Sequence, residues 1–425
     1  MTPAARIAGS VELLAAIEAA PRKPADAVAN DFFRARRFIG SGDRRAIADR
    51  VWRVLRQRRR LAWWLARSGG GPTPRLLLAG SLLLEGWTGA GVAQTFSGGR
   101  YAAAPLSPEE AACLHRLEGH TLDHPEMPLA VRLEVPDWLL APLQARFGAD
   151  LESELAALAA EAPLDLRVNL LKATREQAQA ALAAEGIATE PTPLSPWGLR
   201  VAGRRPVVTG PSFLSGLVEI QDEGSQLVAA LVGARPEMRV ADFCAGAGGK
   251  TLALAMTMEN RGHIVACDVS APRLDAALRR LRRAGVHNAE RHLLQAGDKW
   301  AKRRAGTFDR VLVDAPCTGT GTWRRNPDAR LRLTEGDLRE LVPKQAAILD
   351  AASRLVRKGG RLVYATCSLL PEENEAQVSA FLDRFAEFAV RPPGAGLPVA
   401  GPFLSLTPRA HGTDGFFAAV LERRA

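Results

Sequence analysis

No stretch of this sequence supplies a disulfide frame. The five cysteines, Cys113, Cys244, Cys267, Cys317 and Cys367, are odd in number and far apart, and no two stand in C-x-x-C spacing. That pattern argues against a disulfide scaffold or a zinc site and fits free thiols in a reducing cytoplasm. The seven histidines are scattered without metal-ligand spacing, so no metal is expected. Long apolar runs are missing too: the longest, LLLAGSLLL at 76–84, falls far short of the roughly 20 residues of a bilayer span. The N-terminal MTPAARIAGS has neither a lysine-led apolar core nor a cleavage site, and no secretory signal is expected. Without heptads or an extended apolar surface segment, the expected state is a monomer.

What is present is a globular composition with a basic balance. Apolar residues make up 47% of the chain and charged residues 24%, as in ordinary soluble domains. Its 425 residues exceed the roughly 250–300 at which single cores stop growing, so two or three domains are expected. Lys and Arg number 56 against 46 Asp and Glu, giving a net charge of +10, which favours a polyanionic partner.

The chain is organised around RVADFCAGAGGKT at 239–251. An apolar run ending in an acid and a glycine-rich turn, followed by TLALAMTM, reads as a buried strand, a ligand loop and a helix. Two familiar glycine loops are excluded. A phosphate-binding loop needs Gly where Cys244 stands, and the dinucleotide fingerprint needs Gly where Thr251 stands. The remaining D-x-x-x-G-x-G suits S-adenosylmethionine better than a pyrophosphate. Gly246, Gly248 and Gly249 let backbone N–H groups approach a ligand at a helix N-terminus.

In chain order, residues 1–145 read as helical. The segment 42–69 alternates core positions Ile47, Val51, Val54, Leu55 and Leu61 with Arg44, Arg45, Arg50, Arg53, Arg56, Arg58, Arg59 and Arg60, an expected basic face for an RNA backbone. Residues 146–238 read as a small α+β subdomain and connector, in which Arg167, Asn169 and Lys172 are candidates for phosphate or ribose contact. From 239 to 425, strands at 263–269, 290–297, 308–317 and 361–368 alternate with helices, the pattern of a doubly wound, mostly parallel α/β sheet. A closing strand pair is expected from 388–390 and 414–423.

Ligands of such sheets lie outside the carboxyl ends of the strands, and the polar signals fall there. Asp268, 22 positions after Gly246, is placed to accept ribose hydroxyls, and Asp298 to meet an adenine amino group. DAPC at 314–317 and TCS at 366–368 each put a cysteine directly after a strand, on strands expected to be neighbours. Two thiols beside a methyl donor suit methylation of a pyrimidine at carbon 5: a thiolate adds to carbon 6 and makes carbon 5 nucleophilic. Asp314 is the acid at hand for N3 of the ring. Position alone does not say which cysteine attacks. The arginines at 279, 280, 282 and 283, the basic residues at 299 and 302–304, and Arg324 and Arg325 are expected to grip flanking phosphates.

DFCAGAGGKT, DAPCTGTGTWRRNPD, YATCSLLPEENE and HGTDGFF, with RVN at 167–169 and EIQDEGSQ at 219–226, together resemble the Sun/RsmB family of RNA cytosine-5 methyltransferases over residues 145–425. The first third resembles that family's NusB-like RNA-binding extension only loosely. The resemblance implies a class I, Rossmann-like methyltransferase fold with S-adenosyl-L-methionine as cofactor. It implies that Cys367 attacks and Cys317 serves product release. It also implies that Cys244, Ala245, Gly246, Ala247, Gly248, Gly249, Lys250, Asp268, Asp298 and Asp314 hold the cofactor, Asp314 also meeting the base. Ala247 stands where the family's loop commonly has Pro. The expected substrate is small-subunit (16S) ribosomal RNA. Transfer RNA is an alternative substrate, and a non-catalytic assembly factor is an alternative that would predict a missing nucleophile or a broken loop.

Overall fold

The computed structural model describes every residue except Arg204, Ala296, Ala395, Gly396 and Ala425; Ala296, inside the strand expected at 290–297, thus lies outside the described residues. By its contacts the chain forms two units: Met1–Ala160 with Trp323–Leu333, and Glu161–Thr322 with Thr334–Ala425.

In the first unit every described element from Pro3 to Ala159 is helical. Thr2, Thr73, Thr88 and Ser107 accept backbone N–H groups at helix starts, three of them before Pro at N1 or N2, which fixes those boundaries locally. Leu13, Leu14, Ile47, Val51, Leu61, Leu65, Leu77 and Leu78 meet in a core with no exposed surface.

The arginine-rich helices Ser41–Arg56 and Arg58–Arg67 differ from the expected free basic face. Arg50 and Arg53 pair with Glu85, Arg58 with Glu18 and Arg59 with Asp137, all at 2.7–3.1 Å. Arg60 pairs with Asp123 and with buried Glu134, whose carboxylate also accepts the N–H groups of Arg59 and Arg60 and so caps their helix. The periodicity placed the arginines on the polar face correctly, but it could not show acids arriving from distant segments.

Trp323–Leu333 belongs to this helical unit although it follows the strand at 308–314 in sequence. Asp328 accepts from Ala25 N at 3.1 Å and caps the helix Ala25–Ala35, whose own N-cap, Pro24, makes no side-chain bond. Arg56 donates to Arg324 O at 2.7 Å, and Arg330 donates back to Arg56 O. Arg330 is almost fully buried, and that burial pushes its pKa down to about 10.

The second unit carries two sheets. Strands β1 (Asp165–Val168), β2 (Thr189–Pro191), β3 (Gly198–Val201) and β4 (Val218–Ile220) form an antiparallel sheet ordered β2-β3-β1-β4. The helix Arg175–Ala184 covers it through Ala178 and Leu182. The larger sheet holds β5 (Arg239–Asp242), β6 (His263–Asp268), β7 (Ala289–Leu293), β8 (Phe308–Asp314), β9 (Val356–Thr366), β10 (Phe388–Arg391), β11 (Val399–Ala400), β12 (Phe403–Leu406) and β13 (Phe416–Arg423). Its order is β11-β12-β13-β9-β8-β5-β6-β7, with β10 also on β13. The run β9-β8-β5-β6-β7 is parallel, and the pairs beyond β9 are antiparallel. The expected pair of β10 and β13 forms; β11 and β12 were not anticipated.

Successive strand residues enter different cores, because side chains alternate across a sheet. Ala241, Val265, Val311, Val313, Leu362 and Tyr364 pack with Leu349, Ala352, Val378 and Phe381. Val240, Ile264, Leu312, Val363 and Ala365 pack with Leu227, Val228, Leu254 and Ala255. Both faces are thus covered by helices, as a doubly wound sheet requires.

Asp328→Ala removes the acceptor at the start of Ala25–Ala35 and should lower the stability of the helical unit by about 1–2 kcal/mol in urea unfolding, whereas Asp328→Asn, which keeps an oxygen there, should retain most of it. An unchanged midpoint for the alanine variant would mean the cap contributes nothing.

Candidate active site

β5 ends at Asp242, and the chain turns through Phe243–Gly248 into the helix Gly249–Thr257. Gly246 and Gly248 have φ of 53° and 79°, which L side chains rarely adopt. A Cβ on Gly246 would meet nothing within 4 Å, so glycine is needed there for its conformation and leaves open space beside the loop. Gly246 N donates to Asp268 Oδ2 at 2.8 Å, and Ser270 N donates to its Oδ1. Two guanidiniums fix the loop's carbonyls: Arg280 donates to Ala247 O and Arg167 to Gly249 O, each at 2.7 Å.

Acids dominate this end of the sheet. Asp242 is fully buried; Thr251 donates to Oδ2 at 2.6 Å, while Oδ1 has no partner. Burial, opposed by the Thr251 bond and reinforced by Asp314 and Asp268, pushes its pKa up to about 6. Lys250 Nζ lies 2.6 Å from Asp314 Oδ2; burial works against its charge, but Asp314 more than offsets this and the pKa is raised. An orphaned buried acceptor beside carboxylates repels a pyrophosphate and suits a cation-bearing nucleoside. S-adenosylmethionine, with its sulfonium and ammonium, fits these residues.

Other anticipated residues have partners of their own. Asp298 binds His292 Nε2 at 2.6 Å and Trp300 N at 2.8 Å; the hydrogen bond from His292, then that from the Trp300 amide, lowers its pKa. Cys244 and Cys267 have thiol pKa values raised chiefly by burial, so neither is a ready thiolate. Arg167 and Asn169, expected to touch RNA, are buried instead. Arg167 also donates to Gln221, and Asn169 Nδ2 donates to Gly216 O and Ala284 O. In this arrangement they brace the loop and its neighbouring helix and do not present donors outward. Lys172 is exposed, with Nζ donating to Ser215 O and Arg283 O. Arg283 and Arg280 share Glu219.

β8 and β9 pair in parallel with Asp314 opposite Ala365. The chain therefore leaves both strands on one side, and Cys317 Sγ comes 3.4 Å from Cys367 Sγ. The hydrogen bond with Cys367, then burial, pushes the Cys317 thiol well up, and in the contact between the two sulfurs either can be the donor.

Residues to which the sequence reading gave no role hold this geometry. Buried Glu373 accepts from Thr318 N at 2.9 Å, from Thr318 Oγ1, and from Gln345 Nε2 at 2.8 Å; Gln345 also donates to Pro316 O. Asn374 joins Thr366 Oγ1 to Ser368 O. Gly321 N donates to Cys367 O at 2.9 Å, and Gly415 N donates to Gly321 O at 2.8 Å. A Cβ on Gly321 would lie 2.3 Å from Gly415 O, so TGTGT and HGTDGFF meet backbone to backbone. Glu373 and Asn374 lie within PEENE, and the signal was there: two adjacent polar residues one turn after a cysteine strand.

A cation-accepting glycine loop at the head of a doubly wound sheet defines a class I S-adenosylmethionine-dependent methyltransferase, and the chain is of that class. A family model described as 16S rRNA methyltransferase RsmB/F matches residues 229–422, and one described as an RsmF/B-like ferredoxin-like domain matches 135–208. The probable ribosomal RNA small subunit methyltransferase B of Synechocystis sp. is 36% identical over 313 residues, spanning 71% of this chain and 70% of that protein. That of Photorhabdus laumondii is 34% identical over 295 residues, spanning 68% and 66%. The crystal structure of PH0851 superposes with TM-score 0.83 at 25% identity, covering 100% of this chain and 99% of that one. A methyltransferase homolog from Pyrococcus horikoshii gives 0.62 at 30%, covering 69% and 97%. The chain belongs to the RsmB/F family of 16S rRNA methyltransferases. Among the described residues, no helix is long and apolar enough to cross a membrane and no three metal-ligating side chains cluster.

Two outcomes are expected. Glu373→Ala strands the three donors it accepts and should cost about 3 kcal/mol or more in chemical unfolding, with methyl transfer reduced beyond the loss of folded protein. For Asp242, the folded pKa is raised. Its burial penalty is absent at low pH, where the carboxyl is neutral folded or unfolded, and is fully present once pH exceeds the folded value of about 6. A cationic cofactor offsets that penalty, so the rise in Tm on adding S-adenosylmethionine should be larger at about pH 8 than at about pH 5, and Asp242→Asn should flatten the difference. A pH-independent rise in the native protein would refute this assignment.

Proposed function

We propose that this protein methylates carbon 5 of a cytosine in 16S ribosomal RNA through a covalent adduct between Cys367 and carbon 6 of the base. The observation that carries the reading is the thiol pair: two cysteines that follow neighbouring parallel strands, with their sulfurs 3.4 Å apart. S-adenosylmethionine, held by residues 244–250 with Asp268, Asp298 and Asp314, supplies an electrophilic methyl group.

The chain's own residues do the rest. Asp314 meets the N3 edge of the cytosine with the oxygen that Lys250 leaves free, and the Lys250 ammonium behind it is the proton reserve that favours addition at carbon 6. Cys367 adds as thiolate, and the ring becomes an enamine nucleophilic at carbon 5. After transfer the carbon 5 proton is lost to the thiol pair and the carbon 6–sulfur bond breaks. Cys317, hydrogen-bonded to the departing sulfur, gives Cys367 a proton and takes the one from carbon 5; Cys367 then loses its proton to solvent, the one proton released per methyl transferred, and is a thiolate again. The cytosine must be single-stranded or flipped out, at a cost of a few kcal/mol. We assign residues 1–145 to a NusB-like RNA-binding domain, 146–238 to the small subdomain and connector, and 239–425 to catalysis.

Incubation of Cys317→Ala with substrate RNA and cofactor should accumulate a denaturation-resistant protein–RNA adduct, and Cys367→Ala should form none and transfer no methyl group. The opposite pattern would exchange the two roles, and no adduct from either would sink the covalent route.

A further inference from the structure

Of the arginines expected to grip RNA in the first unit, Arg50, Arg53, Arg58, Arg59 and Arg60 are spent on Glu85, Glu18, Asp137, Asp123 and Glu134, and Arg324 is buried. Arg44, from that same expected face, converges with residues the sequence gave no such role. Where the helix Ala25–Ala35 gives way to Ser41–Arg56, Asn30, Phe33, Arg34, Arg37 and Arg44 line an open groove of ≈ 490 Å³. Arg37 is exposed and has no acid partner among the described residues. Arg44 is oriented by its Nε bond to Ile39 O at 2.8 Å, and its guanidinium lies 5.9 Å from the centre of the Phe33 ring. Asp31 is taken by Lys23 at 2.5 Å and reaches Arg34 at 3.2 Å. That Arg34 contact is solvent-exposed, at 74% for its side chain, and so is exchanged for a phosphate at little cost.

We propose that this groove is a phosphate-binding site for single-stranded RNA, the three guanidiniums gripping the backbone and the Phe33 ring lying beside a base. Planar forks match phosphate oxygens two bonds at a time, and a half-buried ring offers any base a face without selecting its sequence. The Asn30 amide adds a donor or acceptor for ribose or base. The groove rests on the reading of the protein as an RNA methyltransferase, and it gives the helical unit a defined contact that keeps Arg44 of the expected basic face and adds Arg34 and Arg37.

The test uses the full chain with Arg34→Gln/Arg37→Gln/Arg44→Gln combined and with Arg37→Glu alone; the latter removes no intramolecular bond among the described residues. Two measurements are made: binding of labelled oligocytidine across a salt series, and steady-state methylation of unmodified small-subunit ribosomal RNA. Affinity of the triple variant for oligocytidine should fall roughly tenfold or more and its salt slope by about 2, from three lost contacts at about 0.7 each. Its KM for RNA should rise in step with kcat and S-adenosylmethionine affinity unchanged. Arg37→Glu should shift affinity and slope in the same direction. Inorganic phosphate that competes as well as oligocytidine at equal charge concentration would overturn the RNA assignment in favour of a small-anion site. Methylation by the native chain with unchanged KM and slope in both variants would overturn the groove and leave the methyltransferase reading intact. Absence of methylation by the native chain would instead sink that reading, and the oligocytidine measurements would still decide the groove.

Discussion

Parallel pairing of β8 with β9 is the constraint on which the site depends. Two strands that run the same way end on the same side, so whatever follows each of them meets there. Here the followers are Cys317 and Cys367, 3.4 Å apart at sulfur. Two sulfurs in hydrogen-bond contact can pass a proton between them, whichever of the two donates. Strand pairing alone would leave the two loops slack. Glu373 gathers Thr318 and Gln345, and Gly321 hydrogen-bonds the Cys367 carbonyl while resting on Gly415. The sulfur separation is therefore set by buried hydrogen bonds and by the absence of two side chains.

The cofactor end follows the same economy. Arg167 and Arg280 each spend a charged donor on a loop carbonyl, and Asp268 receives the loop's Gly246 amide. These bonds fix the backbone that a nucleoside would meet. They leave Asp242 with an unshared oxygen in a buried, acidic environment. Such strain is tolerable where a cation completes it, and a methyl donor carries its positive charge on sulfur and nitrogen.

Arginine has two distinct uses in this protein, and sequence does not separate them. Along Ser41–Arg67, Arg50, Arg53, Arg58, Arg59 and Arg60 hold the helical unit together through acids brought from residues 18, 85, 123, 134 and 137. Trp323–Leu333 joins that unit through Asp328 and the reciprocal contacts of Arg56 and Arg330. A charged residue near a helix end is legible as such in the chain. Whether its partner is a distant carboxylate, a carbonyl or a phosphate is a property of folding.

The doubly wound sheet, the glycine loop and the cysteine strands could be read from local pattern, because alternation, turn chemistry and strand-end position are carried by neighbouring residues. The core positions Ile47, Val51, Val54, Leu55 and Leu61 are all buried for the same reason. The short strands β11 and β12 were missed, being too brief to show a period. Arg167 and Asn169 were misplaced because their burial depends on Gly216, Gln221, Gly249 and Ala284 arriving from elsewhere in the chain. The sequence by itself determined which side chains stand at the strand ends and what kind of chemistry they carry. It took the fold to bring the two thiols into contact, to leave some arginines available to a ligand and to deny some glycines room for a side chain, since each of these is set by contacts between residues far apart in the chain.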